Sequence, residues 1–300
     1  MVKALFILFI TASMPSLLYS QDNPRLAALK KQIADTFASQ QGYFAMAFRD
    51  LRSGQEIFIN EHENFHAAST MKLPVMIETF RQASEKKFSL NDSLLLKNEF
   101  TSIADGSLFG VDPKDDSEFE LYKQLGQKKS IYDLVYQMII LSSNFATNLV
   151  VEKVGAKNVT ATLRKLGAND MQVLRGVEDQ KAFDKGLINT TTAFDLMLLL
   201  EKIARGKLVN RKVCREMIHI LLDQRFNDII PAKLPPTVKV AHKTGWITGL
   251  HHDAGIIFLP GGQPYILVLL SKNLGDEKRA VDAMASVSQM IYQYLAGRNR

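Results

Sequence analysis

Hydrophobic and polar residues follow two different periods along this chain, and the changes between them outline its secondary structure. Helical periods span residues 23–40 and 276–295, and the stretch from 69 to about 230 is mostly helical. Alternation of period two predicts two strands near the start and three near the end, at residues 43–50, 56–60, 239–243, 254–259 and 265–271.

This order of elements predicts the fold class. The early and late strands make one antiparallel five-stranded sheet, with the terminal helices on one face and a helical insertion elsewhere, which is an α/β (α+β) architecture. We therefore expect an α/β lobe from residues 21–68 and 236–300 and a helical lobe from residues 69–235. Catalytic groups would meet at the seam between the lobes, where clefts commonly form.

Residues 1–20 have the pattern of a secretory signal peptide. Lys3 supplies a positive charge, residues 4–10 are apolar, and Ser20 offers a small residue near the expected cleavage point. Because the apolar run is too short to span a bilayer, we expect no membrane association after cleavage.

Composition narrows the possible functions. The chain has 300 residues, of which 46% are hydrophobic, so it can bury a large core; its formal net charge of +6 is a mild excess. The basic pairs lack interleaved aromatic residues, so we expect no nucleic-acid partner. Cys214 is the only cysteine and cannot form an internal disulfide. His62, His66 and the run 251–253 lack zinc-site spacing, so we expect no metal and no cofactor.

The first chemical motif is Ser69, followed three residues later by Lys72 and then by a helix-compatible apolar pattern. At a helix N-terminus the two side chains lie on one face, one turn apart. A partly desolvated lysine can take the proton of a serine hydroxyl, which is otherwise a poor nucleophile. The alternative is a plain helix cap at Ser69 and a solvated charge at Lys72.

Two more motifs follow. Ser142-Ser143-Asn144 interrupts a long apolar helical run, and a loop opening onto a cleft explains these polar residues better than a core position does. An ordinary polar helix junction is the alternative. Lys243-Thr244-Gly245 ends a strand pattern: its lysine and hydroxyl suit an anionic substrate, and its glycine allows close approach by a ligand. The lysine could instead simply protect an edge strand.

In this order the three segments resemble the signature of class A serine β-lactamases and penicillin-binding proteins. Residues 138–149 are similar to the family's helix around S-D-N-T-A-x-N-L, and residues 189–192 to its D-T-T-T after the Ω-loop. The resemblance implies the serine β-lactamase/D,D-peptidase-like fold, a small β-lactam substrate and the bacterial periplasm. We expect a monomer.

The resemblance also implies roles for individual residues. Ser69 attacks the lactam carbonyl, Lys72 is the favoured base for acylation, and Ser142 relays a proton to the leaving nitrogen. The alternative base for acylation is the family's glutamate acting through a water, as in class A enzymes. The resemblance implies that Asn144 binds the substrate's side-chain amide and that Lys243 and Thr244 bind its carboxylate. It also implies that the backbone N–H of Trp246 binds the carbonyl oxygen and that Gly245 allows the substrate to approach closely. Arg279 is the candidate for a second contact to the carboxylate.

The chain departs from the family pattern in its second motif, in its Ω-loop and in one long segment. Ser143 replaces the motif's aspartate, which is a structural partner in the family. The Ω-loop has Glu178 one residue further from Arg175 than the family's R-x-E-x-x-L-N, and no L-N follows. In class A enzymes that glutamate activates the deacylating water, so Glu178 is the candidate base; a surface carboxylate is the alternative.

The polar segment 98–129 resembles an insertion, which we interpret as a surface excursion rather than a flap.

The sequence thus predicts hydrolysis of β-lactams through a serine acyl-enzyme intermediate. One alternative keeps the acylation but changes the substrate: a D,D-peptidase or esterase-like penicillin-binding hydrolase with slow deacylation. The other is a non-catalytic cell-wall-binding protein, which the presence of all three motifs disfavours.

Overall fold

The computed structural model of the protein describes residues 23–261 and 263–297. The predicted signal peptide at residues 1–20 lies outside these residues. The helices of the described chain are α1 (Pro24–Ala38), α2 (Lys72–Ser84), α3 (Ile131–Ile140), α4 (Asn144–Val154), α5 (Ala156–Leu166), α6 (Gln180–Asp184), α7 (Ala193–Ala204), α8 (Arg211–Leu222) and α9 (Glu277–Ala296). The strands are β1 (Tyr43–Asp50), β2 (Glu56–Ile59), β3 (Phe65–His66), β4 (Ser93–Leu95), β5 (Phe100–Thr101), β6 (Leu108–Phe109), β7 (Lys128–Ser130), β8 (Thr190–Thr191), β9 (Lys239–Ile247), β10 (Leu250–Phe258) and β11 (Tyr265–Lys272).

The main sheet has five strands in the order β2-β1-β11-β10-β9. Each neighbouring pair is antiparallel, with Tyr43 opposite Lys272 and Lys243 opposite Ala254. The predicted sheet, made of the first two and last three long strands, is therefore confirmed. β9 is an edge strand of this sheet, and the short turn that carries Ser69 packs against it.

The sheet has a hydrophobic core on each face, and the period of two along β1 separates them. Met46 and Phe48 belong to the core shared with α1 and α9, whereas Ala45 and Ala47 belong to the core shared with the helical region. α7 packs against β1, β10 and β11 on that second face. The division into lobes at residues 68/69 and 235/236 stays a prediction.

Between residues 23 and 297, leaving out 262, no helix combines the length and apolarity needed to cross a bilayer. Over the same residues, no three His, Cys, Asp or Glu side chains gather where they could hold a metal ion.

Candidate active site

Ser69 lies in a 3₁₀ turn, Ala68–Met71, directly before α2. The helix itself begins at Lys72, so Ser69 stands just outside it rather than at its first residue. Ala68 has a φ of 43°, a left-handed conformation that side chains rarely adopt. This strained backbone projects the half-buried Ser69 from the turn.

Gly245 lets β9 pass directly against this turn. A Cβ atom on Gly245 would lie 3.1 Å from the backbone nitrogen of Ser69 and 3.2 Å from Cβ of Ala68. The close neighbour of Gly245 is therefore the Ser69 turn of the protein itself, and the glycine fixes the distance between the first and third motifs.

Two histidines support the same turn through hydrogen bonds. His66 Nδ1 accepts the backbone N–H of Ala68 at 3.0 Å, and His252 Nε2 donates to the carbonyl of His66 at 3.0 Å. Burial lowers the pKa of His252 to about 4, so its ring is neutral at physiological pH. The spacing of these histidines in the sequence predicts no zinc site; in the structure they support the strained Ala68.

Lys72 is fully buried and reaches across to the second motif. Its amine donates to the carbonyl of Ser142 at 2.5 Å, to Ser142 Oγ at 3.3 Å and to Asn144 Oδ1 at 2.8 Å. As predicted, Ser142 and Ser143 form the loop between α3 and α4, and Ser142 has a φ of 58°. The loop is therefore shaped to present its acceptors to Lys72.

Lys243 approaches the same hydroxyl from β9. Its buried amine donates to Ser142 Oγ at 3.0 Å and to the carbonyl of Thr244 at 2.9 Å. Ser142 Oγ thus lies between two lysine amines, one from each side of the cleft. A hydroxyl in this position can exchange protons with either amine.

Burial and mutual repulsion make it costly for both amines to be protonated at once. Burial lowers the pKa of Lys72 to about 7, while the carboxylates of Asp116 and Glu178 act against this shift. Burial also holds the pKa of Lys243 well below its usual value; the charge of Lys72 adds to this effect, and Asp253 opposes it. Because a neutral amine has a lone pair, Lys72 can act as a base near neutral pH.

Glu178 faces this arrangement from the Ω-loop. Its Oε1 accepts from Asn144 Nδ2 at 2.9 Å, so Asn144 links Glu178 to Lys72 through its two side-chain atoms. Removal of water by the surrounding protein raises the pKa of Glu178, and the nearby Lys72 charge partly offsets this. Glu178 has a φ of 61°, a third strained residue at the site beside Ala68 and Ser142. Each such residue costs on the order of 1–3 kcal/mol.

The Ω-loop is tied to α4 by Asn148. Its Oδ1 accepts the N–H of Val177 at 2.7 Å, and its Nδ2 donates to the carbonyl of Val177 at 3.0 Å. Gly176 is required for this contact, because a Cβ there would lie 2.1 Å from Asn148 Oδ1. Glu178 therefore follows directly after a loop segment that is fixed to the second motif's helix.

Segment 98–129 also holds the Ω-loop. Ser102 Oγ donates to Asp179 Oδ1 at 2.8 Å, the N–H of Ile103 donates to Asp179 Oδ2 at 3.0 Å, and Lys181 pairs with Asp105 at 2.9 Å. Most of the segment is exposed, as expected for a surface excursion, but these bonds also join it to the Ω-loop. Its short β5–β6 hairpin is hydrogen-bonded to the loop that carries Glu178.

A cavity of about 380 Å³ opens beside Ser69. Ser69, Asn144 and Glu178 line it together. Lys72 and Lys243 are buried and are not part of the lining, but Lys72 donates a hydrogen bond to Asn144, which does line the cavity. The remaining lining comes from the turn before α2, the Ω-loop and the end of β9: His66, Ala68, Arg175, Val177, Asp179, Gln180, Phe183, Asn189, Trp246, Ile247 and Thr248.

A sequence model of the Beta-lactamase enzyme family matches residues 28–295. The chain belongs to this family. It is 22% identical over 295 residues to beta-lactamase ROB-1 of Haemophilus influenzae, covering 93% of this chain and 92% of that protein. It is 23% identical over 286 residues to the extended-spectrum beta-lactamase PER-1 of Pseudomonas aeruginosa, covering 89% of this chain and 87% of that protein.

Two solved structures superpose on about nine-tenths of the chain. PBP-A does so with a TM-score of 0.79 at 25% identity, over 91% of this chain and 97% of its own. The beta-lactamase of Sphaerobacter thermophilus does so with a TM-score of 0.76 at 25% identity, over the same shares. The predicted fold and the predicted class A-like family are confirmed.

The structure does not place Arg279 in the site. Its backbone N–H donates to Asp276 Oδ1 at 3.0 Å, and its exposed side chain is absent from the cavity lining. The α9 side chain that reaches the end of β9 is Glu277, which accepts from Trp246 Nε1 at 3.3 Å and from the N–H of Gly249 at 2.7 Å. The α9 side chain near Trp246 is therefore the acidic Glu277, whereas the sequence suggested the basic Arg279.

Proposed function

We propose that this β-lactamase family member hydrolyses β-lactams through an acyl-enzyme formed on Ser69. The observation that carries the proposal is the placement of Ser142 Oγ between the buried amines of Lys72 and Lys243, beside the cavity that Ser69 lines. Such a set supplies a nucleophile, a base with a pKa near neutrality and a proton carrier.

Acylation would begin with attack of Ser69 Oγ on the lactam carbonyl carbon. The serine proton passes to the neutral amine of Lys72, which gives up one of its present hydrogen bonds to accept it. The backbone N–H groups of Ser69 and Trp246 receive the developing oxyanion, a contribution of roughly 3 kcal/mol per donor in comparable sites. As the C–N bond breaks, Ser142 delivers the proton to the leaving nitrogen and recovers one from a lysine.

Substrate binding would use Lys243 in its charged form, while Lys72 is neutral. Lys243, with the hydroxyl of Thr244, takes the carboxylate of the substrate, and that negative charge favours protonation of the buried amine. Asn144 Nδ2 now donates to Glu178 Oε1 and to the carbonyl of Asp115 at 3.2 Å. An incoming amide carbonyl would replace one of these acceptors.

Deacylation would depend on Glu178. The carboxylate takes a proton from a water in the cavity, the water oxygen bonds to the acyl carbon, and the bond to Ser69 Oγ breaks with return of the proton to the serine. The raised pKa of Glu178 makes it a stronger base once it is ionised. Its hydrogen bond to Asn144 fixes it next to the acylation residues.

We further propose that the protein is exported to the periplasm, acts there as a monomer and protects the cell against β-lactam antibiotics. The bacterial origin of the curated relatives, such as ROB-1 and PER-1, supports this location. The signal-peptide pattern of residues 1–20 supports export.

The experiment is hydrolysis of nitrocefin by the purified protein, followed in parallel by intact-protein mass after exposure to penicillin. We expect turnover in the wild type and neither turnover nor adduct in Ser69→Ala. A wild-type adduct that persists with almost no turnover would instead favour the penicillin-binding hydrolase with slow deacylation. An adduct in Ser69→Ala would contradict the nucleophile assignment.

A further inference from the structure

Asp116, in segment 98–129, makes an unusually large number of contacts for a half-buried carboxylate. Its two oxygens accept from two backbone N–H groups of α4, from two hydroxyls and from one nearby N–H. The donors are Asn144 N at 3.0 Å, Phe145 N at 2.8 Å, Ser143 Oγ at 3.3 Å, Tyr122 OH at 2.8 Å and Glu118 N at 3.1 Å.

The two backbone contacts lie at the first residues of α4. N–H groups in the first turn of a helix have no acceptor within the helix, and a negative charge there is stabilised by the helix dipole. Ser143 caps the same helix with its own side chain, which accepts from Ala146 N at 3.1 Å. The motif of this family has an aspartate at the position of Ser143, so the carboxylate absent from the motif is supplied here by a distant segment.

Asp116 accepts hydrogen bonds at the start of α4, and Lys72 donates hydrogen bonds to the same part of the chain. Lys72 donates to Ser142 and to Asn144, the residues on either side of Ser143. Three charged groups face Lys72: Asp116 from segment 98–129, Glu178 from the Ω-loop and Lys243 from β9. Asp116 therefore affects Lys72 in two ways, through the position of its acceptors and through its negative charge.

We propose that Asp116 is a positioning residue for acylation, which fixes the Ser142–Asn144 loop against Lys72 in place of the motif's aspartate. This proposal rests on the proposed attack by Ser69. It assigns to segment 98–129 a part in the acylation step, in addition to its hydrogen bonds with the Ω-loop.

The first test compares Asp116→Asn with Asp112→Asn by stopped-flow acylation with a fluorescent penicillin. Asp112 lies in the same segment, is exposed, and its carboxylate accepts from Lys114 N at 2.9 Å, so this variant loses the same charge outside the network. We expect Asp116→Asn to acylate roughly 10- to 100-fold more slowly, because bonds to a charged group are replaced, and Asp112→Asn to match the wild type.

The pH profile separates positioning from general damage. The charge of Asp116 opposes the lowering of the Lys72 pKa, so its removal should shift the acid limb of the acylation profile to lower pH. A variant that is merely less stable would lose rate without this shift. If Asp116→Asn and the wild type have the same acylation rate and the same pH midpoint of the acid limb, the proposal is overturned.

A double-mutant cycle with Ser143→Asp gives a result independent of the single variant's stability. Beside Asp116, a second carboxylate is repelled and should slow acylation; in the Asp116→Asn background, it restores a negative charge at the helix start and should speed acylation. The same sign of effect in both backgrounds would overturn the proposal. If the wild type is not labelled at Ser69 at all, it is the proposed function that fails.

Discussion

The residues for the two halves of the proposed cycle are held in different ways. Lys72, Ser142 and Lys243 are joined by direct hydrogen bonds between the helical region and the sheet, and both lysines are fully buried. Glu178 is less enclosed than the two lysines, has a strained backbone of its own and is fixed by one side-chain bond to Asn144. Acylation thus depends on a rigid core arrangement, whereas deacylation depends on a loop whose position is set by its neighbours.

The largest effect is expected where the sheet meets the Ser69 turn. Gly245→Ala places a Cβ 3.1 Å from Ser69 N, so either the strand or the turn must move. We predict a roughly 100-fold loss of acylation rate, since small displacements of reacting groups are costly. Gly54→Ala is the control for general loss of stability, because the φ of +73° at Gly54 strains an alanine there although no neighbouring atom is near its Cβ. Normal acylation in Gly245→Ala would show that the close approach is not needed.

The next effect concerns the charge of Lys243. Lys243→Ala removes the buried cation proposed to bind the substrate carboxylate. We predict a roughly 30-fold or greater loss of kcat/KM for β-lactams with a free carboxylate and a much smaller loss for a carboxylate ester. Equal losses for both substrates would assign Lys243 to proton transfer through Ser142 rather than to substrate binding.

The pH dependence tests whether Lys72 acts as the base. Its folded pKa is lowered to about 7, so the amine is increasingly protonated as the pH falls below that value. We predict that the acylation rate with an uncharged ester substrate falls about tenfold per pH unit below this point. Lys243 shares Ser142 and titrates together with Lys72, so the profile reports the pair. A rate independent of pH between 5 and 7 would exclude Lys72 as the base.

The smallest effect concerns the anchoring of the Ω-loop. Ser102→Ala removes one of the bonds that hold Asp179, next to Glu178. We predict a loss of about 1 kcal/mol in stability and a deacylation rate lower by a factor of about three, with acylation unchanged. Ser89→Ala, in an exposed turn, is the matched control. A lower acylation rate with unchanged deacylation would contradict the proposed effect of Ser102 on Glu178.

The sequence predicted the sheet because the period of two along each strand is local information. Each motif was found from short spacing, but the motifs lie 70 and 101 residues apart, and their meeting at one site was implied by the family resemblance. The sequence did not reveal Asp116, which reaches Asn144 from 28 residues away along the chain. It also missed the support of Ala68 by His66 and His252, since nothing in the local pattern announces a strained backbone. Arg279 is exposed, one position before the buried Ala280 on α9, and its role as a second carboxylate contact stays a prediction.

The central claim is that acylation and deacylation depend on separate residues, and Glu178→Gln tests it most directly. An amide cannot take a proton from water but can keep a hydrogen bond with Asn144. In pre-steady-state kinetics with nitrocefin, we predict that the variant shows a burst equal to one turnover at the wild-type rate and almost no turnover afterwards. Steady turnover equal to that of the wild type would contradict the account and show that another group activates the water.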